Sequence, residues 1–506
     1  MSTTITQKAT SMKRLLSIAT AALMFTGAAQ AAAPGITGTG TVGTFNLIAQ
    51  QAYINQPDGN QVYSWGYGCN IATPTAATFV PAAIPGAMCN TMQIPGPTLV
   101  VTQGQTVTVV LQNGLPTSAG NTSILFPGFN VTATGGVTGL LTNEAAPGGT
   151  VTYTFTATSP GTRAYYSGTQ GDLQVEMGLY GAIIVLPSTV PATCTSGLAA
   201  ANLQVELAHG EADFRLPNAT GGVGAAYNHP DTCYDREYLF QFSEMDINIH
   251  RAALAQVSDP KRVLACAGGP TALGCPLEVP TEPYRPAYFL INGRSMPDDM
   301  DPNYDAPYPH QPYNGNPHMH PGELTLLRVI GQGRWEHPFH EHANHVRILA
   351  RDGNPIIAST TLSYPGTGTT SANAAGQALA GLLMFTTDTF PGQSFDGIFY
   401  FTGRGLNWDM YAHNPNSTDA AALLTCNPDA NGYNTVNSGA SVSAINYFEW
   451  CQDHNKPLEA APFGDVNAGG PMTLPNPNIF TNGAWYSGSP YLGPDATLRA
   501  DSSRQA

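Results

Sequence analysis

"IPGPTLVVTQGQTVTVVLQNGLP", residues 94–116, sets Val and Leu in alternation with Thr and Gln on both sides of Gly104. A period of two, rich in β-branched residues and broken by glycine, predicts two strands joined by a turn. "APGGTVTYTFT" (146–156) and "GLYGAIIV" (178–185) continue the pattern, and this first block ends near Pro187. A short linker of small and polar residues runs from Ser188 to about Asn202. Strand-like phrases then resume with "LQVELAHG" (203–210) and "REYLFQFSEMDINIH" (236–250). They continue through "FLINGR" (289–294), "GELTLLRVIG" (322–331) and "PGQSFDGIFYFTGRGLNWDMYAH" (391–413). Beyond Asn414 the chain is rich in Asn, Pro, Gly and Ser and reads as an irregular extension.

Composition supports the same class. Only 10 % of the 506 residues are charged, Gly (54) and Pro (41) are abundant, and helix-forming stretches are scarce, the profile of an all-β chain rich in turns. A net charge of -15 with only 19 Lys and Arg argues against nucleic acid or an anionic membrane surface as partner, because both call for clustered basic residues. Lys13 and Arg14 precede the apolar run Leu15–Phe25, and small residues follow at Ala29–Ala31. This is the pattern of a secretory signal, with Met12 as an alternative start, and it is too short for the ~20 apolar residues of a membrane span. The expected location is secreted or periplasmic. Export places the eight cysteines in an oxidising compartment, where an even count predicts four disulfides. Sequential pairing is the expectation, although sequence does not fix connectivity.

Four histidines fall within nine positions of "HPFHEHANH" (337–345), and seven of the twelve lie between His310 and His345, His318 and His320 among them. His340 and His342, two apart on a strand, point the same way. If the strand carrying His413 neighbours theirs, His413 would complete a three-imidazole set suited to copper or zinc.

The phrases "IPGPTL", "GQTVTVVLQNGLP", "APGGTVTYTFT", "GLYGAIIV", "FLINGR", "HPFHEH" and "RDG", in this order over roughly residues 90–415, resemble the multicopper oxidase family of laccase-like enzymes. The "FLINGR" strand and the histidine strand share one block, as in two-domain members. The resemblance implies tandem cupredoxin-like Greek-key β-sandwiches over residues 34–190 and 200–415, after a signal at 1–33 and before the extension at 416–506. It also implies copper as cofactor and a homo-oligomer, a trimer in two-domain relatives. Members carry a type 1 copper held by Cys and two His, and a trinuclear cluster held by four H-x-H pairs.

Only part of that ligand set is present. In place of H-W-H-G stands "TSILFPG" (122–128), which puts Leu125 and Pro127 at ligand positions, and in place of Y-H-S-H stands "AYYSGT" (164–169), which puts Tyr166 and Gly168 there. H-P-x-H-L-H survives, so the resemblance gives His337 the type 1 position and His340 and His342 trinuclear positions. For H-C-H, aligning Trp408 with the family's tryptophan places Tyr411, Ala412 and His413, with no thiolate. "EWCQDHNK" (449–456), with Cys451 and His454, is the rival placement. Without a thiolate a blue copper centre cannot form. Glu341, where the family has leucine, reads as a solvated edge residue, with a role as ligand or ligand orienter as the alternative. His345 reads as a polar residue with no metal role, and His209, His229, His250 and His454 stand alone.

Three function classes follow: a copper-dependent oxidoreductase with an altered site, an exported copper-binding protein without turnover, and a structural protein of the envelope or matrix in which the histidines are remnants. No G-x-S-x-G elbow occurs, which sets aside a serine hydrolase of that kind. The donor substrate and the metal are not written in the sequence.

Overall fold

The computed structural model describes residues 34–38, 43–72, 78–80, 88–191, 194, 224–229, 232–234, 236–317, 323–342, 345–357 and 379–401. The signal at 1–33, the extension at 416–506, His209, His318, His320, His413, His454, Cys426 and Cys451 lie outside these residues.

The first block supplies twelve strands. They are β1 (Gly35–Thr37), β2 (Gly43–Asn55), β3 (Gln61–Cys69), β4 (Thr78–Val80), β5 (Leu99–Thr102) and β6 (Thr106–Asn113). Then follow β7 (Thr132–Gly135), β8 (Val137–Thr138), β9 (Asn143–Glu144), β10 (Thr150–Thr156), β11 (Gly161–Tyr166) and β12 (Tyr180–Leu186), with a short helix α1 (Gly171–Gln174) before the last. Two five-stranded sheets form, ordered β11-β12-β5-β1-β4 and β3-β2-β6-β10-β7. The opening phrase therefore does not make a hairpin: β5 and β6 flank Gly104, whose φ of 85° makes the turn, but they enter opposite sheets. Alternation then fills the sandwich. Val107, Val109 and Leu111 of β6 lie opposite Phe155, Tyr153 and Val151 of β10, and all six are buried in one core with Leu99, Ile183 and Trp65.

The remaining strands are β13 (Gly224–Ala225), β14 (Cys233–Tyr234), β15 (Arg236–Met245), β16 (Tyr288–Ile291), β17 (Glu323–Gly331) and β18 (His337–His340). They end with β19 (Val346–Arg351), β20 (Asn354–Pro355), β21 (Leu383–Met384), β22 (Thr386–Thr389) and β23 (Ser394–Phe401). A seven-stranded sheet runs β16-β15-β17-β23-β19-β20, with β21 on β19, and β18 pairs with β22 in a separate ribbon.

These sheets stack in layers. β12 is buried along its whole length because it packs on both sides: Ile183 and Val185 face the sandwich core, whereas Ala182, Ile184 and Leu186 face Leu239, Leu326, Ile330 and Ile398 of the seven-stranded sheet. The far face of that sheet, with Phe240, Val329 and Phe395, packs on Phe339 of the ribbon.

Charge is buried where the two blocks meet. Arg328, shut off from water, donates from Nε to Glu237 Oε2 at 2.6 Å and from Nη1 to Thr162 Oγ1 at 3.0 Å, and its Nη1 lies 3.7 Å from Asp396 Oδ1. Thr162 of β11 donates its hydroxyl to Asp396 at 2.6 Å, and the Tyr227 hydroxyl donates to the same carboxylate. Burial works against the charge of Arg328, but Glu237 and Asp396 outweigh it and hold the guanidinium protonated.

Helix enters where strand was expected. The phrase over 236–250 ends as strand at Met245, and helix α2 (Ile247–Val257) begins behind Asp246, whose side chain accepts from Asn248 N. A further helix, α3 (Pro260–Ala265), follows before β16. Ile249 and Ala253 of α2, together with Leu277, join the core of the first block's sandwich. The excursion between β15 and β16 thus covers the other block.

Three cysteine pairs are bonded as expected from sequential pairing: Cys69–Cys89, Cys194–Cys233 and Cys266–Cys275. Among the described residues no helix is long and apolar enough to cross a membrane.

Removing one member of the buried charge set strands the others. Arg328→Ala should cost about 3–5 kcal/mol in denaturant unfolding, whereas replacing Arg328, Glu237 and Asp396 together with apolar residues of similar size should cost much less.

Candidate metal centre

The ribbon β18–β22 carries the histidines. Its register sets His337 opposite Thr389 and His340 opposite Thr386, and alternation sends His337 and Phe339 inward and Pro338 and His340 outward. On the outer side the rings of His340 and His342 meet edge to face, with centroids 5.0 Å apart, and both residues are exposed. His340 Nδ1 hydrogen-bonds the Thr386 hydroxyl at 2.7 Å, which fixes the ring and leaves Nε2 for another partner. Phe385 stands edge-on to both His340 and His345. His345 is half-buried, and burial pushes its imidazole down.

His337 faces the other way. Its ring stacks on Phe242 at 5.6 Å, and Nε2 hydrogen-bonds the carboxylate of Glu244. That carboxylate is fully buried and also accepts from Arg334 N at 2.8 Å. Gly333 permits the approach, since a Cβ there would lie 2.2 Å from Glu244 Oε2. His337 and the pair His340/His342 are thus on opposite faces of the ribbon and do not converge.

Glu341 is not a solvated edge residue. Both carboxyl oxygens are buried with no hydrogen-bond partner among the described residues, and burial pushes the group up to about 7. Among the described residues no three His, Cys, Asp or Glu side chains converge as a metal site.

In the first block the positions that resemblance assigns to copper ligands are closed by apolar contact. Leu125 and Tyr166 pair through their backbones, and the Leu125 side chain lies over Gly168 so closely that a Cβ there would sit 2.8 Å from Cγ. The nearby polar groups satisfy one another. Gln174 Oε1 accepts from the hydroxyls of Thr122 (2.9 Å) and Ser167 (2.7 Å), and Thr169 donates to Glu144 at 2.9 Å. Burial pushes the Tyr166 phenol up, away from the phenolate a metal would take. A trinuclear cluster does not fit these residues. Two imidazoles on the outer side of the ribbon do fit a single copper ion, as part of its ligand set.

Of the histidines that stand alone, His250 and His229 are buried, and His310 of the clustered set has Nδ1 hydrogen-bonded to Met92 O at 2.7 Å. Sequence reading missed Glu244 as the partner of His337. Its signal was a carboxylate in register with Tyr238, Phe240 and Phe242 on an otherwise aromatic strand face.

Residues 77–189 match the family model of the multicopper oxidases. Solved structures similar to this chain include the blue copper oxidase from Nitrosomonas europaea, at 17 % identity over 71 % of this chain and 75 % of that one, with a TM-score of 0.39. The multicopper oxidase mgLAC is 18 % identical over 71 % and 77 %, with a TM-score of 0.39. The copper nitrite reductase from Nitrosomonas europaea is 16 % identical over 71 % and 86 %, with a TM-score of 0.37. No curated protein matches the chain. The family match covers the block that holds Leu125, Pro127, Tyr166 and Gly168, the residues that the resemblance sets at ligand positions.

If Leu125 closes this region against Gly168, then Gly168→Ala should destabilise the protein by about 1–3 kcal/mol through overpacking. The double variant Leu125→Ala/Gly168→Ala should be more stable than the sum of the single effects predicts, as read from a double-mutant cycle in urea.

Proposed function

We propose that this chain is an exported multicopper-oxidase-like protein that binds copper through His340 and His342, with His413 as third ligand, and acts as a copper-dependent oxidoreductase with an altered site. The observation that carries the reading is the exposed pair His340/His342, with His340 oriented by Thr386. The family match makes copper the metal of choice. Copper held by imidazoles cycles between Cu(I) and Cu(II) and supplies single-electron chemistry. His337, set at the type 1 position by resemblance, is instead held by Glu244 on the inner face. Leu125 over Gly168 argues that oxygen reduction on a trinuclear cluster has been lost. Division into sandwiches at 34–190 and 200–415, a secreted or periplasmic location and assembly as a trimer belong to the same reading. Subunit assembly would not restore the cluster, because the first block would supply Leu125 and Gly168 in every copy.

Metal analysis and a visible spectrum of protein purified from its native compartment test the proposal. The expected result is stoichiometric copper with only weak colour, because the intense blue band is a charge transfer from a cysteine thiolate. His340→Ala/His342→Ala should abolish the bound copper, whereas His454→Ala should not. A blue protein would revive the placement at Cys451. A colourless protein with copper unchanged by the double substitution would make the histidines a relic.

A further inference from the structure

Strand β2 outruns the core it belongs to. Phe45, Leu47 and Ala49 are buried in the first sandwich, and the same parity carries Gln51 and Tyr53 onward on that face, where both are exposed. On the neighbouring strand β3, Tyr63 and Trp65 lie opposite Tyr53 and Gln51 and are buried. A cleft of about 450 Å³ is left between these strands, Pro116 and the α2 residues Leu254, Val257 and Ser258, within the ~300–1,000 Å³ of small-molecule sites.

The lining is of two kinds. Leu254, Val257 and Pro116 are apolar, and beside them stands the Tyr53 ring, 47 % exposed and held edge to face against Tyr63 with centroids 5.9 Å apart. The Tyr63 hydroxyl is already committed: it donates to Gln51 Oε1 at 2.6 Å and accepts from Trp65 Nε1 at 2.9 Å. That bond orients the Gln51 amide and leaves its Nε2 as a donor. Among the described residues, Gln51 Nε2 and the hydroxyls of Tyr53 and Ser258 have no hydrogen-bond partner.

Charge is absent from the cleft. None of the side chains that line it is ionic, and burial pushes the Tyr63 phenol up to about 12, so it stays neutral. Ser258 is the C-cap of α2, and the end of a helix carries partial negative charge. An anion would meet that end without a counter-charge, and a cation would find no carboxylate. A purely apolar or aromatic molecule would cover the Gln51 amide and two hydroxyls without offering them a partner. A sugar ring answers both halves of the lining: its C–H hydrogens lie against the negative face of an aromatic ring, and its hydroxyls both donate and accept. We propose that this cleft binds an uncharged pyranose, stacked on Tyr53 and hydrogen-bonded through its hydroxyls to Gln51 and Ser258.

The test is saturation-transfer NMR on the full-length chain with methyl glycosides of glucose, galactose, mannose and xylose, and with methyl glucuronide, phenol and choline as controls. Saturation should reach the C–H protons on one ring face of at least one neutral glycoside and should be weak on the glucuronide. Tyr53→Ala should lower the affinity for that glycoside about tenfold, whereas Tyr53→Phe, which keeps the ring, should lower it far less. Because Tyr53 is half exposed, both variants should unfold at the parent's denaturant midpoint. Tighter binding of the sugar's linear tetramer would identify a polysaccharide as the source, and equal binding a free sugar. Saturation of no neutral glycoside, or of phenol or choline alone, would overturn the assignment. So would an affinity that Tyr53→Ala leaves unchanged.

Discussion

Arg328 sets the terms for the rest of the molecule. It sits on the face of the seven-stranded sheet that meets β11 and β12, among Leu326, Ile330 and Ile184, where an unpaired charge would be costly. Glu237, Asp396 and Thr162 must therefore be in place together, and they come from three different strands, β15, β23 and β11. A slip of one residue in any of these strands would turn its polar group to the opposite face. The apolar contacts around the cluster supply adhesion between the blocks, and the charges supply register. Asp396 also accepts from Tyr227, which ties the segment before β14 to the same point.

From that fixed sheet the ribbon β18–β22 inherits its two faces. Phe339 packs against Phe240 and Phe395, so His337 is carried inward to Glu244 and His340 outward to solvent. The odd separation between His337 and His340 makes it impossible for a regular strand to bring them to one ion. Copper chemistry, on the reading given above, is left to the outer pair.

Much of this was legible and some was not. The alternation of β6 and β10 gave their buried residues directly, and the even spacing of His340 and His342 gave their shared side. The continuous burial of "YGAIIVL" was visible as an apolar run, but a run carries no parity, so its second packing partner could not be read from it. Helix α2 was hidden by its context. Asp246 is a cap signal and Ile249 and Ala253 are four apart, yet the preceding ten residues alternate as strand and the change of period falls within two positions. Glu341 was misread because exposure was inferred from charge, whereas its place beside the packed inner face of the ribbon shuts its oxygens away.

The excursion carrying Ile249, Ala253 and Leu277 also bears on how the chain is made. A nascent polypeptide that has reached Leu186 contains every strand of the first sandwich but lacks three of the side chains that complete its core. Trp65, fully buried in the finished protein, belongs to that core on β3, the strand that α2 packs against. Synthesis must pass Leu277 before the sandwich can close over its own interior. Until then the growing chain presents an open apolar surface, the kind of transiently exposed face that is prone to aggregation.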